Sequence, residues 1–255
     1  MSTLANARDV LQLMVRMQRD LTVSEVTEAL GAPKSSVSRT LTMMANYGFL
    51  DRDPHTKAYR PGSLVIEASY HFRGSRTVAS LLEDEVASLV EDTGYTCYIN
   101  MLDGRETMVT HMRTGTVGTL QAYTPVGTRG AAYASSMGRA ILARLDDEDV
   151  TARLDSDFEP VGQAPRTLDD LLARLMSIRS RGWELSRGEF VTNVAGISAA
   201  VLEPGSTQPL GIGIALPAHD FDDALANGFG TKVRDAAMRV GRKIGDPYWL
   251  SFAAN

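Results

Sequence analysis

The chain has 255 residues, of which 44% are hydrophobic and 22% charged, values typical of globular proteins and unlike those of disordered, collagen-like or coiled-coil chains. Its single cysteine excludes an internal disulfide and a four-thiolate metal site, and its four histidines are scattered. Charged residues interrupt the first twenty positions, which excludes a signal-peptide core, and no apolar run reaches the roughly 18 residues of a membrane span. We therefore expect a cytoplasmic protein that needs no metal or other cofactor.

Charge is distributed unevenly along the chain, whose net charge is −5. Residues 1–60 contain eight Lys and Arg against six Asp and Glu, a net charge of +2, so residues 61–255 have a net charge of −7. A basic segment attached to an acidic body is weak evidence for a polyanion-binding module joined to a second domain with another task.

The first sixty residues show the pattern of a helix-turn-helix. Apolar residues recur at helical spacing over Val10–Met17. The segment Thr22–Glu25 has the pattern of a capping box, so a second helix is predicted to begin there and to end at Gly31. A third helix is predicted from Pro33 to about Gly48. In a helix-turn-helix this last helix enters the major groove of DNA.

The third helix carries polar and basic side chains off its apolar stripe. They are Lys34, Ser35, Ser36, Ser38, Arg39 and Thr42. Hydroxyls and a lysine near the start of a helix suit phosphate contacts, and an arginine can read guanine. Short strands predicted at Phe49–Arg52 and Ala58–Arg60 would form a wing that lies along the DNA backbone. The alternative is a three-helix bundle with a hairpin and no role in DNA binding.

The rest of the chain predicts helices that alternate with antiparallel hairpins, which implies an α+β domain with helices packed on a sheet. The predicted helices are Ser63–Arg73, 77–94, Ser135–Leu145, Thr167–Arg181 and Asp222–Ile244. The predicted strands are Tyr95–Met101, Glu106–Met112, Val117–Tyr123, Trp183–Phe190, Val194–Leu202 and Leu210–Leu216. The first hairpin is predicted to turn at Asp103-Gly104, and Gly228 and Gly230 are expected to interrupt the last helix.

This second region contains no recognisable catalytic motif: a nucleophile elbow, a phosphate-binding loop and paired metal-binding histidines are all missing. Cys97 is expected to be a buried core thiol because it sits among apolar residues in a strand. One face of the last predicted hairpin carries only small side chains, those of Val194, Gly196, Ser198, Ala200, Gly211, Gly213 and Ala215. Such a face either lets a helix approach closely or leaves room for a ligand, and the pattern alone favours close packing.

These motifs together resemble the IclR family of bacterial transcription regulators along nearly the whole chain. The matching segments are Leu30–Leu41, Tyr47–Arg52, Tyr59–Gly62, Thr124–Ala140, Ile178–Trp183, Gly188-Glu189 and Gly196–Val201. The resemblance implies a two-domain α+β protein: a winged helix-turn-helix (1–62), a linker helix (63–75) and a GAF-like effector-binding domain (76–255), whose antiparallel sheet is flanked by helices. It also implies homodimers, often paired into tetramers, that bind palindromic operator DNA and respond to small organic acids.

The resemblance also places an effector pocket in the second domain. Carried over position by position, the lining residues are Leu120, Ala122, Ser135, Ser136, Met137, Ser186, Glu189, Val194, Gly196, Ser198, Gly213 and Ala215. Family members that bind small keto acids tend to have a carboxylate at the position of Ser186, a cysteine or serine at that of Gly196, and serines at those of Gly213 and Ala215. A less polar, larger pocket favours an aromatic or extended aliphatic acid over a two- or three-carbon acid. Arg139 replaces the family's usual lysine and is expected at a helix surface.

The leading interpretation is an effector-responsive transcription factor and not an enzyme. Its predicted DNA contacts are Lys34, Ser35, Ser36, Arg39 and Thr40 in the third helix and Arg52 and Lys57 in the wing. One alternative is an enzyme on the same scaffold, against which the missing catalytic residues count. Another is a DNA-binding protein that ignores ligands because a side chain such as Met137 fills the pocket. The effector, the operator and the direction of regulation stay open.

Overall fold

A computed structural model describes residues 3–17, 19–73, 78–117, 122–154, 162, 164–220 and 222–252. The chain divides into two compact units, Met1–Ser75 and Arg76–Asn255. Within the described ranges, no helix combines the length and apolar character that a bilayer crossing requires.

The described part of the first unit contains four helices and a two-stranded antiparallel sheet. Its elements are α1 (Thr3–Met17), α2 (Val23–Leu30), α3 (Lys34–Asn46), β1 (Leu50–Arg52), β2 (Tyr59–Pro61) and α4 (Ser63–Arg73). Leu21 forms an antiparallel bridge to β2, because its backbone exchanges hydrogen bonds of 3.0 and 2.8 Å with that of Tyr59. One apolar core joins α1, α2, α3 and this ribbon. The helices and the hairpin predicted for this region are confirmed.

Capping determines where α2 begins and ends. The backbone N–H of Thr22 donates to Glu25 Oε2 at 2.7 Å, and that of Glu25 donates to Thr22 Oγ1 at 3.4 Å, which confirms the capping box. The carboxylate of Glu25 accepts hydrogen bonds from the backbone N–H and the hydroxyl of Thr22 and from Arg19, and these bonds lower the pKa of Glu25 to about 2. Gly31 ends the helix at a φ of 61°, where glycine avoids the steric penalty of a side chain.

The second unit is built on a six-stranded antiparallel sheet with the order β5-β4-β3-β8-β7-β6. The strands are β3 (Thr96–Asp103), β4 (Glu106–Arg113), β5 (Arg129–Ala131), β6 (Glu184–Arg187), β7 (Val194–Val201) and β8 (Leu210–Pro217). The helices are α5 (Val78–Thr93), α6 (Ser136–Leu142), α7 (Asp147–Leu154), α8 (Leu168–Arg181), α9 (Asp223–Ile244) and α10 (Pro247–Ser251). Helices α5, α9 and α10 cover one face of the sheet, and α6, backed by α8, covers the other. The predicted α+β class is confirmed.

Several predicted element bounds in this unit are wrong. The first hairpin turns at Gly104-Arg105, one residue later than predicted, because Asp103 pairs with Glu106. Helix α6 ends at Leu142, strand β6 ends at Arg187, and the sequence pattern does not predict α7. The strand predicted over 117–123 is not seen at 117, 122 or 123, and its residues 118–121 lie outside the described residues.

The predicted interruption of the last helix is also wrong. Helix α9 continues through Gly228 and Gly230, and a Cβ placed on Gly230 would lie 2.4 Å from the Trp183 ring. Glycine therefore lets the indole pack directly on the helix backbone. Glycine inside a helix costs about 1 kcal/mol relative to alanine, and this aromatic packing offsets that loss.

Candidate DNA-binding and effector sites

The exposed face of α3 carries most of the predicted DNA contacts. Its exposed side chains include those of Lys34, Ser35, Ser36 and Arg39. Thr40 is only 6% exposed and shares the buried face of the helix with Val37, Leu41 and Met44. The structure thus corrects the expected position of Thr40. Helical spacing directs this side chain into the core, and the structure does not support Thr40 as a DNA contact.

An aspartate organises the turn of the wing between β1 and β2. Asp53 accepts hydrogen bonds from the backbone N–H groups of Thr56 at 2.7 Å and His55 at 2.8 Å, and these bonds lower the pKa of Asp53. Lys57 follows at a φ of 61°, an uncommon conformation for a residue other than glycine. Its exposed ammonium group donates to the carbonyl of Pro54 at 2.6 Å. Lys57 therefore lies at the tip of the wing, close to the backbone of the turn.

Two arginines lie on the strands of the wing. Arg52 is exposed, and its guanidinium lies 5.5 Å from the centre of the Tyr59 ring. Arg60 is also exposed and pairs across the hairpin with Asp51. Sequence reasoning did not single out Arg60 as a DNA contact. Strand alternation could have found it, because a buried Tyr59 directs the next side chain outward.

A cavity of about 170 Å³ lies between α6 and the sheet of the second unit. Most of the predicted effector residues line it, namely Ser135, Ser136, Met137, Ser186, Val194, Gly196, Ser198, Gly213 and Ala215. Strands β3 and β4, the segment 124–131 and the segment that follows β6 complete the wall with residues that the sequence did not indicate, chiefly Tyr98, Asn100, Thr107, Val109, Arg129, Phe190 and Val191. Alternation along β3 could have indicated the face that Tyr98 and Asn100 share.

The remaining predicted effector residues have other positions. Leu120 lies outside the described residues. Ala122 does not belong to the cavity wall, but its carbonyl accepts a hydrogen bond from the hydroxyl of Tyr98, which does. Glu189 does not line the cavity either, because two arginines bind its carboxylate at 2.6 and 2.8 Å.

The small-residue face of β7 and β8 serves both purposes that the sequence allows. At one end α6 packs closely, since a Cβ on Gly211 would lie 2.5 Å from Met137 Sδ and 2.9 Å from Ile141 Cγ1. Further along the face, Gly196 and Gly213 line the cavity. Met137 therefore contributes to the wall and leaves the cavity open.

Serine hydroxyls give this wall part of its polarity. The Oγ atoms of Ser136 on α6 and Ser198 on β7 lie 3.2 Å apart, and both residues are buried. Ser135 caps α6 by accepting a hydrogen bond from the backbone N–H of Gly138 at 3.1 Å. Each hydroxyl carries one donor and two acceptor positions, so these groups keep some capacity to bind a ligand.

Tyr98 holds the neighbouring segment against the wall. Its hydroxyl donates to the carbonyl of Ala122 at 2.6 Å and accepts from the backbone N–H of Thr124 at 3.2 Å. Burial raises the pKa of Tyr98, so the hydroxyl stays protonated at neutral pH. The hydroxyl of Tyr98 therefore has a structural role, because it is hydrogen-bonded to the backbone of Ala122 and Thr124.

A buried ion cluster connects α6 and α8 to β6 and the segment after it. Arg139 is fully buried and donates to Glu184 Oε1 at 2.8 Å and to Glu189 Oε2 at 2.6 Å. Arg174 donates to the same two carboxylates, at 2.8 Å each, and Arg181 also contacts Glu184. Burial lowers the pKa of Arg174, but the two carboxylates outweigh burial and raise it above its usual value.

The surface position expected for Arg139 is wrong. Every residue of α6 is buried, because the sheet covers one side of this helix and α8 covers another. Two carboxylates and the carbonyl oxygens of Tyr133 and Leu185 receive the guanidinium N–H groups. Four hydrogen bonds thus satisfy most of the five N–H groups, and pairing of this kind makes burial of a guanidinium tolerable.

Cys97 lies in the core on the opposite face of the sheet, as the sequence indicates. Burial raises the pKa of Cys97 to about 12, so the thiol is not a nucleophile at neutral pH. The described residues contain no group of three His, Cys, Asp or Glu side chains that could hold a metal ion.

Models of two protein domains match this chain. The IclR helix-turn-helix domain matches residues 3–54, and the bacterial transcriptional regulator IclR C-terminal domain matches residues 74–242. The fold and these matches define a transcription regulator with an N-terminal helix-turn-helix and a C-terminal α+β domain. The chain belongs to the IclR family of bacterial transcriptional regulators.

Individual relatives are similar along nearly the whole chain and are named as regulators, not as enzymes. The transcriptional regulator XynR of Escherichia coli (strain K12) is 24% identical over 245 residues, 94% of this chain and 96% of the relative. The regulator KipR of Bacillus subtilis (strain 168) is 28% identical over 228 residues, 88% of this chain and 90% of the relative. A crystal structure of an IclR homolog from Microbacterium hydrocarbonoxydans with 4-hydroxybenzoate has a TM-score of 0.81 at 17% identity, covering 96% of this chain and 99% of that one.

Proposed function

We propose that this regulator binds operator DNA in the cytoplasm as a dimer or a dimer of dimers, and that a small aromatic or extended aliphatic acid changes its affinity for DNA. Residues 1–62 would bind DNA, residues 63–75 would form the linker helix, and residues 76–255 would bind the effector. One observation carries the proposal: a single chain combines an exposed basic helix face after a tight turn with a separate cavity lined by small residues.

The charges on α3 support the DNA-binding part. Lys34 and Arg39 are exposed and form no ion pair within the described residues. Both are therefore available to a polyanion, the lysine for a phosphate and the arginine for a base edge. A net charge of +2 over residues 1–60 gives weak attraction from one copy, so a dimer is needed to double the contacts.

The size of the cavity supports an aromatic effector. An apolar protein cavity of roughly 150 Å³ is known to hold benzene, so a cavity of about 170 Å³ accommodates one aromatic ring. Gly196 and Gly213 line this space, where an added Cβ would collide with Ser136 Oγ or Ser198 Oγ of the wall. The Microbacterium homolog that was crystallised with 4-hydroxybenzoate provides a precedent for an aromatic acid in this fold.

Footprinting on the DNA upstream of the protein's own coding region and of the adjacent operon tests the whole proposal. We expect salt-sensitive, specific protection that one member of a panel of aromatic and aliphatic acids shifts. Specific protection that no acid shifts would contradict the effector part. Failure to protect any fragment at low salt, or a monomer in analytical ultracentrifugation, would contradict the DNA-binding part.

Three variants separate the roles of individual side chains on DNA. Arg39→Ala should cost about 1–3 kcal/mol on the operator and relax its sequence preference. Lys57→Ala should weaken specific and random DNA alike and reduce the salt slope by about one. Thr40→Val is the matched control on α3, because a buried side chain should leave DNA affinity unchanged. Equal losses from Arg39→Ala on specific and random DNA would contradict base reading.

A further inference from the structure

The segment that connects β6 and β7 separates the cavity from solvent. We call this segment, Gly188–Asn193, the strap. Phe190 and Val191 of the strap line the cavity, yet 46% and 51% of their surfaces are exposed. Most of the lining residues on the strands and on α6 are instead buried. At the strap, therefore, a single layer of side chains lies between the cavity and the surface of the protein.

The strap also spans the gap between the two edges of the sheet. Strands β5 and β6 are the edge strands, at opposite ends of the strand order. The strap continues from β6, but the ring of Phe190 reaches β5, since a Cβ placed on Gly130 would lie 3.1 Å from Phe190 Cζ. Glycine at position 130 leaves room for the ring. The contact between Phe190 and Gly130 thus closes the wall around the cavity.

Backbone hydrogen bonds fix the opposite side of this opening but not the strap. The N–H of Gly127 donates to the carbonyl of Val109 at 2.8 Å, and β5 then pairs with β4. The strap is bonded at its ends, where the N–H of Gly188 donates to the carbonyl of Val194 at 2.9 Å. Between these ends, the backbone of Glu189 and Phe190 forms no backbone hydrogen bond to any described residue. The strap is therefore the side of the opening that can move at low cost.

Two arginines tie the strap to α6 and α8 through Glu189. The Glu189 carboxylate accepts hydrogen bonds from Arg139 at 2.6 Å and from Arg174 at 2.8 Å. Both arginines also donate to Glu184 on β6, so their positions do not depend on Glu189. Gly162 packs against the backbone carbonyl of Glu189. Charged hydrogen bonds are stronger than neutral ones, so this carboxylate is well suited to hold a segment with few backbone bonds.

We propose that the strap opens to admit ligands to the cavity and that Glu189 is the positioning residue that holds it closed, an inference that rests on the effector site proposed above. Opening separates Phe190 from Gly130 and breaks the ion pairs of Glu189, while the strands stay paired. The closed state is the one that encloses the ligand. Weakening the closed state therefore speeds ligand entry and exit together and changes the affinity little.

Exchange of fluorobenzene with the full chain, followed by fluorine NMR, tests this inference. Fluorobenzene is a single uncharged ring, so it can occupy the cavity without a specific polar contact. In Glu189→Gln we expect the association and dissociation rate constants to rise about tenfold while Kd changes less than about threefold, because an amide binds two guanidinium groups more weakly than a carboxylate does.

Glu184→Gln is the matched control. It removes the same charge from the same ion cluster, but β6 stays paired with β7 through its backbone. Both variants should have a lower melting temperature than the wild-type protein, and only Glu189→Gln should exchange fluorobenzene faster. Equal acceleration in both variants, or acceleration in neither, would overturn the role of Glu189.

A second pair of variants tests the strap without changing the ion cluster. Phe190→Ala should raise both rate constants at least about tenfold, because it uncovers the opening at Gly130. Tyr123→Ala is its control, since Tyr123 is an exposed aromatic residue that does not line the cavity. Its rate constants should equal those of the wild-type protein. Unchanged rates in Phe190→Ala would overturn the strap as the point of entry.

A cross-link across the opening tests the same motion in the opposite direction. In Gly130→Cys/Phe190→Cys, a short bimane cross-linker can join the two new thiols, and Cys97 does not compete because burial raises its pKa to about 12. Cross-linking should slow entry and exit at least about tenfold relative to the same variant before cross-linking. Unchanged exchange would show that ligands enter elsewhere and would overturn the proposal.

The outcome with the wild-type protein separates this inference from the effector site itself. If fluorobenzene binds and none of the strap variants changes its exchange, the strap proposal is wrong and the effector site still stands. If fluorobenzene does not bind at all, the cavity is not a site for a ring, and the proposed aromatic effector and this inference are overturned together.

Discussion

The two faces of the six-stranded sheet are formed by the same strands but differ in how completely they are packed. The face under α5 and α9 is filled by large aliphatic side chains such as Ile197, Ile212 and Ile214. The face under α6 carries Gly196, Gly213 and other small residues, and part of its space stays open as a cavity. Both faces gain stability from apolar packing, because a second apolar core lies between the open face, α6 and α8, and a buried ion cluster adds to it there. Strand alternation thus separates a fully packed face from a face that keeps an open cavity.

The largest expected effect breaks the cluster that supports the open face. Arg139→Met should destabilise the protein by about 3–5 kcal/mol, because it leaves the buried carboxylates of Glu184 and Glu189 without one of their partners. Urea unfolding measures the loss. Arg139→Lys is the control: it keeps the charge but loses the planar guanidinium, so the loss of unfolding free energy should be smaller than in Arg139→Met. A loss below about 1 kcal/mol in Arg139→Met would show that Arg174 holds both carboxylates alone.

The next effect tests the filled face. Ile197→Ala should cost about 2–5 kcal/mol of unfolding free energy, because Ile197 is fully buried under α9 and the cavity left behind cannot collapse completely. Titration of the folded variant with a benzoate should give the wild-type affinity. A large loss of affinity would mean that the two faces are coupled through the sheet.

Gly196→Ala is the matched change on the open face. The added methyl group would lie 2.6 Å from Ser136 Oγ, inside the cavity wall, and would displace that hydroxyl or the ligand. We expect benzoate binding to weaken about tenfold while unfolding changes little, since a serine hydroxyl can rotate away. The opposite result, lost stability with retained binding, would place the ligand elsewhere.

The smallest effect concerns Tyr98, which ties the segment 122–124 to the open face. Tyr98→Phe should cost about 1 kcal/mol, the usual net value of a hydrogen bond. Burial raises the pKa of Tyr98 above 10.0. The contribution of the Tyr98 hydroxyl to the free energy of unfolding is therefore complete below pH 10 and is lost as the pH rises through the pKa of Tyr98 in the folded protein. The stability difference between wild type and Tyr98→Phe should therefore shrink above pH 10 in urea titrations. A constant difference would contradict this assignment.

Local signals predicted the helices well and burial poorly. Thr22 and Gly31 place the ends of α2 because capping depends on residues within one turn. The burial of Arg139 could not be predicted, since it depends on α8 and on carboxylates 45 and 50 residues further along the chain. Asn100 escaped notice for a similar reason: an asparagine in a strand is informative only once the neighbouring strands and α6 define the cavity that it lines. The small residues at 196 and 213 were visible, but the sequence pattern alone favoured close packing over a cavity.

The bridge between Leu21 and Tyr59 has a consequence for the operator. Two backbone hydrogen bonds join Leu21, which precedes the N-cap residue of α2, to β2 of the wing. The wing is therefore attached directly to the helix pair. The bridge holds the base of the wing against the helix pair. On the proposed operator, the distance between the bases read by α3 and the phosphates touched by the wing is therefore set by the protein. An inserted base pair between them should not be absorbed by adjustment of the protein, so the half-site has a fixed length.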